Sequence, residues 1–403
     1  MNLSRAAAAE ADRNDPLAPF RDRFSAPKDP RRLYLDGNSL GCQPAAAPVA
    51  VAKALDAWRD DQILAWRDWI KLPRRLGDAM AGPVLEAQSG EIVFADSTSI
   101  DLYKLAAAAL GARTGRPRIV TSDDNFPTDL YVLQSLARQF SLELVQVPAD
   151  PTEGLDLRVL AEAVDARTAL VCLSHVAYRS GALLDMKAFT RVAHAVDALV
   201  LWDLSHSAGA VAVPLESSGA DLAAGCSYKY LNGGPGAPAY VYVRRELQDR
   251  LQQPLWGWFG RRDQFRMAND FEPAEGIDRF LSGAPSILSS VAIEPGIQLL
   301  AEAGIGALQE KGRQLTELIV RLADEWLAPF GVSLASPRDS RKRGSHVTLR
   351  HSDAKAIVKS LIADAVIPDF RPPDLIRLGP APLYTRHVDV WDAMDRFRSI
   401  CAR

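Results

Sequence analysis

The stretch Asp221-Leu-Ala-Ala-Gly-Cys-Ser-Tyr-Lys229-Tyr-Leu-Asn-Gly-Gly-Pro-Gly-Ala-Pro-Ala239 sets a lysine among small residues, two tyrosines and a glycine-rich turn. Tyr240 to Val243 then reads as a strand of Tyr and Val, so Lys229 falls in the irregular segment before a buried element. A surface lysine snorkels its ammonium into water. Held in a pocket instead, it loses hydration, its pKa falls, and a free amine becomes available to attack an aldehyde. Upstream, Ala198-Leu-Val-Leu-Trp-Asp203 is an apolar run ending in an acid. That is the pattern of a buried parallel strand delivering Asp203 at its carboxyl end, where ligands of open α/β sheets bind.

Alone, an Asp after a strand is a turn or N-cap residue. Placed 26 residues before Lys229 and three before His206, Asp203 completes the pair that a pyridoxal phosphate site needs. The lysine carries the aldehyde, and the acid keeps the ring nitrogen protonated so that the ring accepts electrons. Strands read at 91–95, 118–121, 142–147, 169–173 and 198–202 alternate with helical stretches, which implies an α/β fold with a mainly parallel sheet flanked by helices. Asp96-Ser-Thr-Ser99 caps an Ala-rich helix at 100–112. Backbone N–H groups at such a positive helix end make a phosphate site without a glycine-rich loop.

At 403 residues the chain exceeds a usual single core. The expected division is an N-terminal arm over 1–30, with an amphipathic piece near Leu17 to Phe24, a large domain over 31–290, and a small α/β C-terminal domain over 291–403. The last begins with one long helix from Ile293 to about Leu327. Strands follow at 332–334, 345–349 and 376–378, with helices at 354–365 and 388–401. The net charge of -3, with Lys and Arg dispersed among acids, argues against a nucleic-acid or anionic-membrane partner. The alanine run at Ala6 to Ala9 is followed by Glu10 and Asp12, which is not a secretory signal, and no apolar run approaches a membrane span. Cys42, Cys172, Cys226 and Cys401 show neither paired nor metal spacing, so no metal is expected and a cytoplasmic location is.

The run Ser227-Tyr-Lys-Tyr-Leu-Asn-Gly-Gly-Pro-Gly236 resembles the cofactor-lysine motif of the kynureninase family, in the class V aminotransferase branch of fold-type I pyridoxal phosphate enzymes. Tyr34-Leu-Asp-Gly-Asn-Ser-Leu-Gly41, Asn125-Phe-Pro-Thr-Asp-Leu-Tyr131 and Lys342-Arg-Gly-Ser-His-Val347 agree, and the similarity runs from about Pro16 to Ala393. The resemblance implies that Thr98 and Ser99 cradle the phosphate, Phe126 stacks on the ring, Asp129 hydrogen-bonds nearby and Ser174 faces the cofactor. His206 would orient groups near the ring, and Tyr228 would bind phosphate and donate a proton. It also implies that Arg377 forks onto the substrate α-carboxylate, Trp66 approaches the aryl side, and Trp258 reaches a neighbouring subunit's cofactor in a homodimer with shared active sites.

Read without the resemblance, Phe126 is a hydrophobic staple, Trp66 and Trp69 pack one helix face, Trp258 is an interface aromatic, and Arg377 belongs to a buried ion pair. The chain departs from the family pattern in four places. The connection around Trp66 to Trp69 is slightly short, Ala177 replaces a polar residue, Arg261 stands for His, and Ala284 stands for Thr or Asn.

The activity implied is hydrolytic cleavage of the Cβ–Cγ bond of L-kynurenine to anthranilate and L-alanine. With no polar side chain at Ala284, L-kynurenine should be used at least as well as L-3-hydroxykynurenine. An aminotransferase or a hydrolase of another β-acyl amino acid stays open. A cysteine desulfurase is disfavoured because no cysteine lies between Cys226 and Cys401. A non-catalytic homologue is disfavoured by the presence of Lys229, Asp203, Tyr228 and Arg377 together.

Overall fold

The computed structural model describes residues 3–402. The chain opens with helix Arg5–Arg13, a 3-10 turn at Ala18–Arg23 and a short strand, β1 (Leu33–Tyr34). A seven-stranded sheet follows: β2 (Ile92–Ala95), β3 (Arg118–Ser122), β4 (Glu143–Val147), β5 (Thr168–Ser174), β6 (Leu199–Asp203), β7 (Leu222–Gly225) and β8 (Ala239–Val243), in the order β2-β8-β7-β6-β5-β3-β4. Only β8 runs against its neighbours, pairing antiparallel with β2 and β7. All seven residues of β5 are buried, as expected of a parallel strand covered on both faces. Alternation along β6 sends Val200 and Trp202 to a core with Leu72, Leu76 and Met80, while Leu199 and Leu201 join Leu102 and Leu105 on the opposite face.

The strand β7 was not anticipated. Its sequence Leu-Ala-Ala-Gly has no β-branched or aromatic residue, yet it lies buried between β6 and β8, where tertiary burial outweighs propensity.

The C-terminal region carries β9 (Ser333–Leu334), β10 (Val347–Arg350), β11 (Val366–Ile367), β12 (Asp369–Arg371) and β13 (Leu375–Leu378). Four of them form an antiparallel sheet in the order β12-β13-β10-β9. The expected boundary after residue 30 does not match the packing. β1 pairs in parallel with β11, and Leu33 and Leu35 sit in one core with Leu315, Ile319, Leu349 and Phe397. The arm docks there too: the Asp12 carboxylate accepts from His387 N at 2.7 Å, His387 Nδ1 at 2.9 Å and Val388 N at 3.1 Å, capping helix His387–Cys401.

The single helix expected from Ile293 is also corrected. Gly304, at φ 76°, breaks it into Glu294–Ala303 and Ile305–Leu322, and the chain bends by 86° there. Among the described residues, no single helix is long and apolar enough to cross a membrane.

Candidate active site

The carboxyl ends of the parallel strands converge on one place. β2 leads into helix Thr98–Ala112, β3 into the loop before helix Pro127–Gln139, and β7 into the segment bearing Tyr228 and Lys229. β5 and β6 end on Ser174 and Asp203, which are register partners. Between these ends lies a cavity of about 140 Å³ lined by Thr98, Ser99, Phe126, Thr128, Asp129, Asp203, Ser205, His206, Tyr228 and Lys229. A larger cavity of about 1070 Å³ lies elsewhere, between Ile70 and Asp78 on one side and Phe259 and Leu281 on the other. Its arginines are largely occupied: Arg74 pairs with Asp78 and Asp278, and Arg262 with Glu275. The smaller cavity holds the unpaired reactive groups.

Lys229 Nζ lies 3.0 Å from His206 Nε2 and 5.8 Å from the centre of the Phe126 ring. Burial, then the charges of Lys229 and Arg377, hold the His206 imidazole well below its usual pKa, so it is neutral. A neutral imidazole accepts from the lysine at Nε2 and carries its proton on Nδ1, which is buried with no partner among the described residues.

Asp203 is anchored through Oδ1, which accepts from Ser205 N at 2.9 Å and Ser205 Oγ at 2.6 Å. Ser174 Oγ donates to Asn125 Oδ1 at 2.5 Å and lies 3.5 Å from Asp203 Oδ2. Asp129 is buried beside Asp203, and its Oδ2 has no donor among the described residues. Burial first, and then the Asp203 carboxylate, push Asp129 well above the usual carboxylate range, so a protonated Asp129 can donate to Asp203. The nearby Cys226 thiol, and then burial, raise the Tyr228 hydroxyl, which stays a donor at neutral pH.

Arg377 lies on β13, 1 % exposed, in the C-terminal sheet. Its Nη1 donates to Tyr178 O at 2.6 Å, while Nη2 donates to Ser39 Oγ at 3.0 Å and meets Asp369 Oδ2 at 2.5 Å. The Asn38 amide, turned so that its oxygen faces the guanidinium, accepts from Nε at 2.7 Å. The buried ion pair read from the apolar surroundings is therefore present.

Four expected residues do not line the cavity: Ser174, which lies 3.5 Å from Asp203, Arg377 in the C-terminal sheet, Trp66 and Trp258. Trp66 packs against Trp69 and Phe259, each with ring centres 5.9 Å apart, on the edge of the second core face. Trp258 packs on Phe259 at 4.5 Å and stays 37 % exposed.

Three residues not singled out from the sequence also belong here. Ser205 fixes Asp203, Thr128 lines the cavity, and His346 is fully buried with its ring 5.5 Å from that of His206. Thr128 and His346 stood inside motifs already quoted. Ser205 carried no signal beyond its place two residues after Asp203.

These residues fit pyridoxal phosphate. The orphaned Asp129 Oδ2 and His206 Nδ1, the anchored Asp203 carboxylate, a neutral base against Lys229 and a helix N-terminus at Thr98 and Ser99 supply an acid, an amine, a ring-stacking face and an anion cradle around one cavity.

Known proteins show the same organisation. A 43% identical protein named kynureninase from Burkholderia pseudomallei aligns over 98% of this chain and 95% of its own length. A kynureninase from Pseudomonas fluorescens is 42% identical, with 97% and 94% covered. The kynureninase C-terminal domain family matches residues 308–397. Among solved structures, a cysteine desulfurase from Thermococcus onnurineus superposes with a TM-score of 0.81 at 20% identity, covering 98% of both chains. A cystine C–S lyase mutant with glycine covalently linked to its pyridoxal phosphate superposes with a TM-score of 0.82 at 19% identity, covering 94% of this chain and 98% of its own. The fold is that of fold-type I pyridoxal phosphate enzymes, and by its near full-length identity to those relatives this chain belongs to the kynureninase family.

Proposed function

We propose that the protein is a pyridoxal phosphate-dependent hydrolase that cleaves the Cβ–Cγ bond of L-kynurenine to anthranilate and L-alanine. The observation that carries this reading is Lys229 Nζ at 3.0 Å from a neutral buried imidazole, in a cavity that also holds the Asp203–Asp129 acid pair. The near full-length identity to proteins named kynureninase supports the substrate.

Bound pyridoxal phosphate supplies an electron-withdrawing ring that takes up charge released at the substrate α-carbon. Lys229 would hold the cofactor through its Nζ and, once free, would move the α-proton, with the neutral His206 Nε2 accepting a hydrogen bond from Nζ and orienting it. Asp203, fixed by Ser205, keeps the ring nitrogen protonated, and protonated Asp129 supports its charge. The amides and hydroxyls of Thr98 and Ser99 bind the phosphate, Phe126 covers one ring face, and Ser174 fixes the Asn125 loop. Tyr228 would serve as phosphate ligand and as proton donor to Cβ, the carbon that stays on the alanine product when the Cβ–Cγ bond breaks. Arg377 engages the α-carboxylate. Water adds to the γ-carbonyl carbon, and the Cβ–Cγ bond breaks.

The working unit we propose is a homodimer with shared active sites, in the cytoplasm. Leu255, Trp256, Trp258, Phe265 and Met267 expose apolar surface on one excursion of the chain, and that surface calls for a covering partner. Trp258, remote from its own cavity, would then serve the neighbouring one, and Trp66 would approach the aryl ring from the same side. Four free thiols suit a reducing compartment.

The test is to incubate the holoenzyme with L-kynurenine and L-3-hydroxykynurenine and to measure anthranilate-type fluorescence together with alanine. Cleavage of L-kynurenine at least as efficient as that of its hydroxylated analogue is expected. Cleavage of neither sinks the substrate assignment.

A further inference from the structure

We propose that His346 is the second hydrogen-bond donor for the α-carboxylate of the amino-acid substrate, completing a site that Arg377 only half provides. The inference rests on the reading of Arg377 as the carboxylate residue and adds a residue to that site.

A guanidinium has five N–H donors. In this structure Nε faces Asn38, one Nη1 donor faces Tyr178 O, and the two Nη2 donors face Ser39 Oγ and Asp369 Oδ2. One Nη1 donor is left. Asp369 is the cross-strand neighbour of Arg377 in the β12–β13 register, so the spent side of the fork is held by the sheet itself. A carboxylate has two oxygens to satisfy, and a single donor leaves the second without a protein partner.

His346 stands where that partner is needed. β10 and β13 pair antiparallel with Thr348 opposite Arg377. His346 immediately precedes β10, and it lies near enough to Arg377 for the guanidinium to be the strongest charge acting on its ring. Gly379, the residue after the last paired position of β13, has no Cβ, and the Asn38 side chain that faces Arg377 occupies that space. Gly181, at φ 75°, allows the imidazole to close in from the other side, since a Cβ built there would lie 3.2 Å from His346 Nε2.

His346 is fully buried, and neither ring nitrogen has a hydrogen-bond partner among the described residues. Buried polar groups are seldom left unpaired in native proteins, and an imidazole must present one N–H donor. Burial, then the charges of Arg377 and Lys229, keep the ring neutral. A cluster of positive groups around an idle neutral donor suits an anion that arrives with the substrate.

The experiment uses the holoenzyme and needs no turnover. Titrate L-alanine and L-alaninamide separately into the parent, His346→Phe and His346→Gln, following the visible absorbance of the bound cofactor. The parent should prefer the acid. His346→Phe, which keeps a ring and removes both nitrogens, should weaken L-alanine by about 10- to 100-fold, the worth of a hydrogen bond to a charged group, with L-alaninamide unchanged. His346→Gln, which retains a donor, should recover most of the loss.

An unchanged preference for the acid in His346→Phe overturns the proposal, as does equal weakening of both ligands with a fall in thermal stability, the mark of a packing role. Should neither variant fold, a crystal structure of the parent with L-alanine decides the matter, and a carboxylate farther than about 3.5 Å from both His346 nitrogens overturns it. Failure of the parent to cleave L-kynurenine would refute the substrate reading separately, because the alanine titrations do not depend on it.

Discussion

Asp129 and Asp203 are buried side by side, and two such carboxyls cannot both ionise without a large penalty. The structure assigns the charge to Asp203, whose Oδ1 accepts two hydrogen bonds from Ser205, and the proton to Asp129, which burial and its neighbour push well above the usual range. Asp129→Asn therefore swaps one neutral donor for another of the same shape. Its effect on cofactor affinity should stay within about 1 kcal/mol, a few-fold. Asp203→Asn removes the charge that faces the ring nitrogen, a charge-assisted bond worth about 1.5–3 kcal/mol, or roughly 10- to 150-fold in affinity. It also removes the second of the two causes that keep Asp129 protonated, burial being the first, and so brings its ionisation to lower pH. Affinity in Asp203→Asn should thus recover as pH rises and Asp129 ionises, and the recovery should vanish in the double Asn variant. The assay is equilibrium titration of apo protein with pyridoxal phosphate, followed by absorbance at a series of rising pH values. If Asp129→Asn is as damaging as Asp203→Asn, or if the pH-dependent recovery survives in the double variant, the assignment of proton and charge is wrong.

Lys229→Ala should abolish both the visible absorbance of protein purified with its cofactor and the borohydride-reducible attachment, and retention of either would displace Lys229 as the attachment site. Arg377→Lys keeps a charge for Asp369 but loses the planar fork, so KM for L-kynurenine should rise by about tenfold or more with cofactor affinity unchanged; parallel loss of stability and activity would show that the Asp369 pair is its whole role. Asp36, pushed up to about 6 chiefly by burial, is disfavoured as a carboxylate in the fold, so its penalty is absent below about pH 4 and grows as pH rises to about 6. Asp36→Asn should match the parent in urea denaturation below pH ~4 and exceed it by ~1–3 kcal/mol at pH ~7, and a variant less stable at neutral pH contradicts this. Lys229→Ala and Trp258→Ala, each inactive, should recover activity when mixed and allowed to exchange subunits; a fully active monomer rules out the shared site.

The central sheet was legible because its chemistry is local. β5 and β6 are apolar runs of the right length ending in a polar residue, and Ser174 and Asp203 came with them. What failed was what depends on partners distant in sequence. β7 is a strand because β6 and β8 flank it, and its small residues gave no sign of that. β1 was placed with the large domain because it precedes it, yet its hydrogen-bonding partner is β11, more than three hundred residues away in sequence. The break at Gly304 sits inside an uninterrupted apolar periodicity, and a lone glycine does not announce that it will adopt a positive φ.

The same division runs through the active site. Thr98, Phe126, Asp129, Asp203, His206 and Lys229 each follow a strand of one sheet, so strand ends predict that they meet, and they do. Arg377 lies on a second sheet and His346 just before its strand β10, and what places them near one another is the β10–β13 pairing, which no spacing encodes. Even the N-terminal motif acts from a distance. Gly41 N donates to Tyr228 O at 2.8 Å, and a Cβ at Gly41 would lie 2.3 Å from Lys229 O, so that glycine is required by the backbone of the lysine segment. A motif near residue 40 and a lysine at 229 thus form one backbone contact, while Asn38 and Ser39 of that motif hold Arg377. The candidate cofactor lysine and the candidate carboxylate arginine are coupled through a single short loop, so a change at Asn38 should disturb substrate affinity before it disturbs the cofactor, whereas a side chain at Gly41 should disturb both.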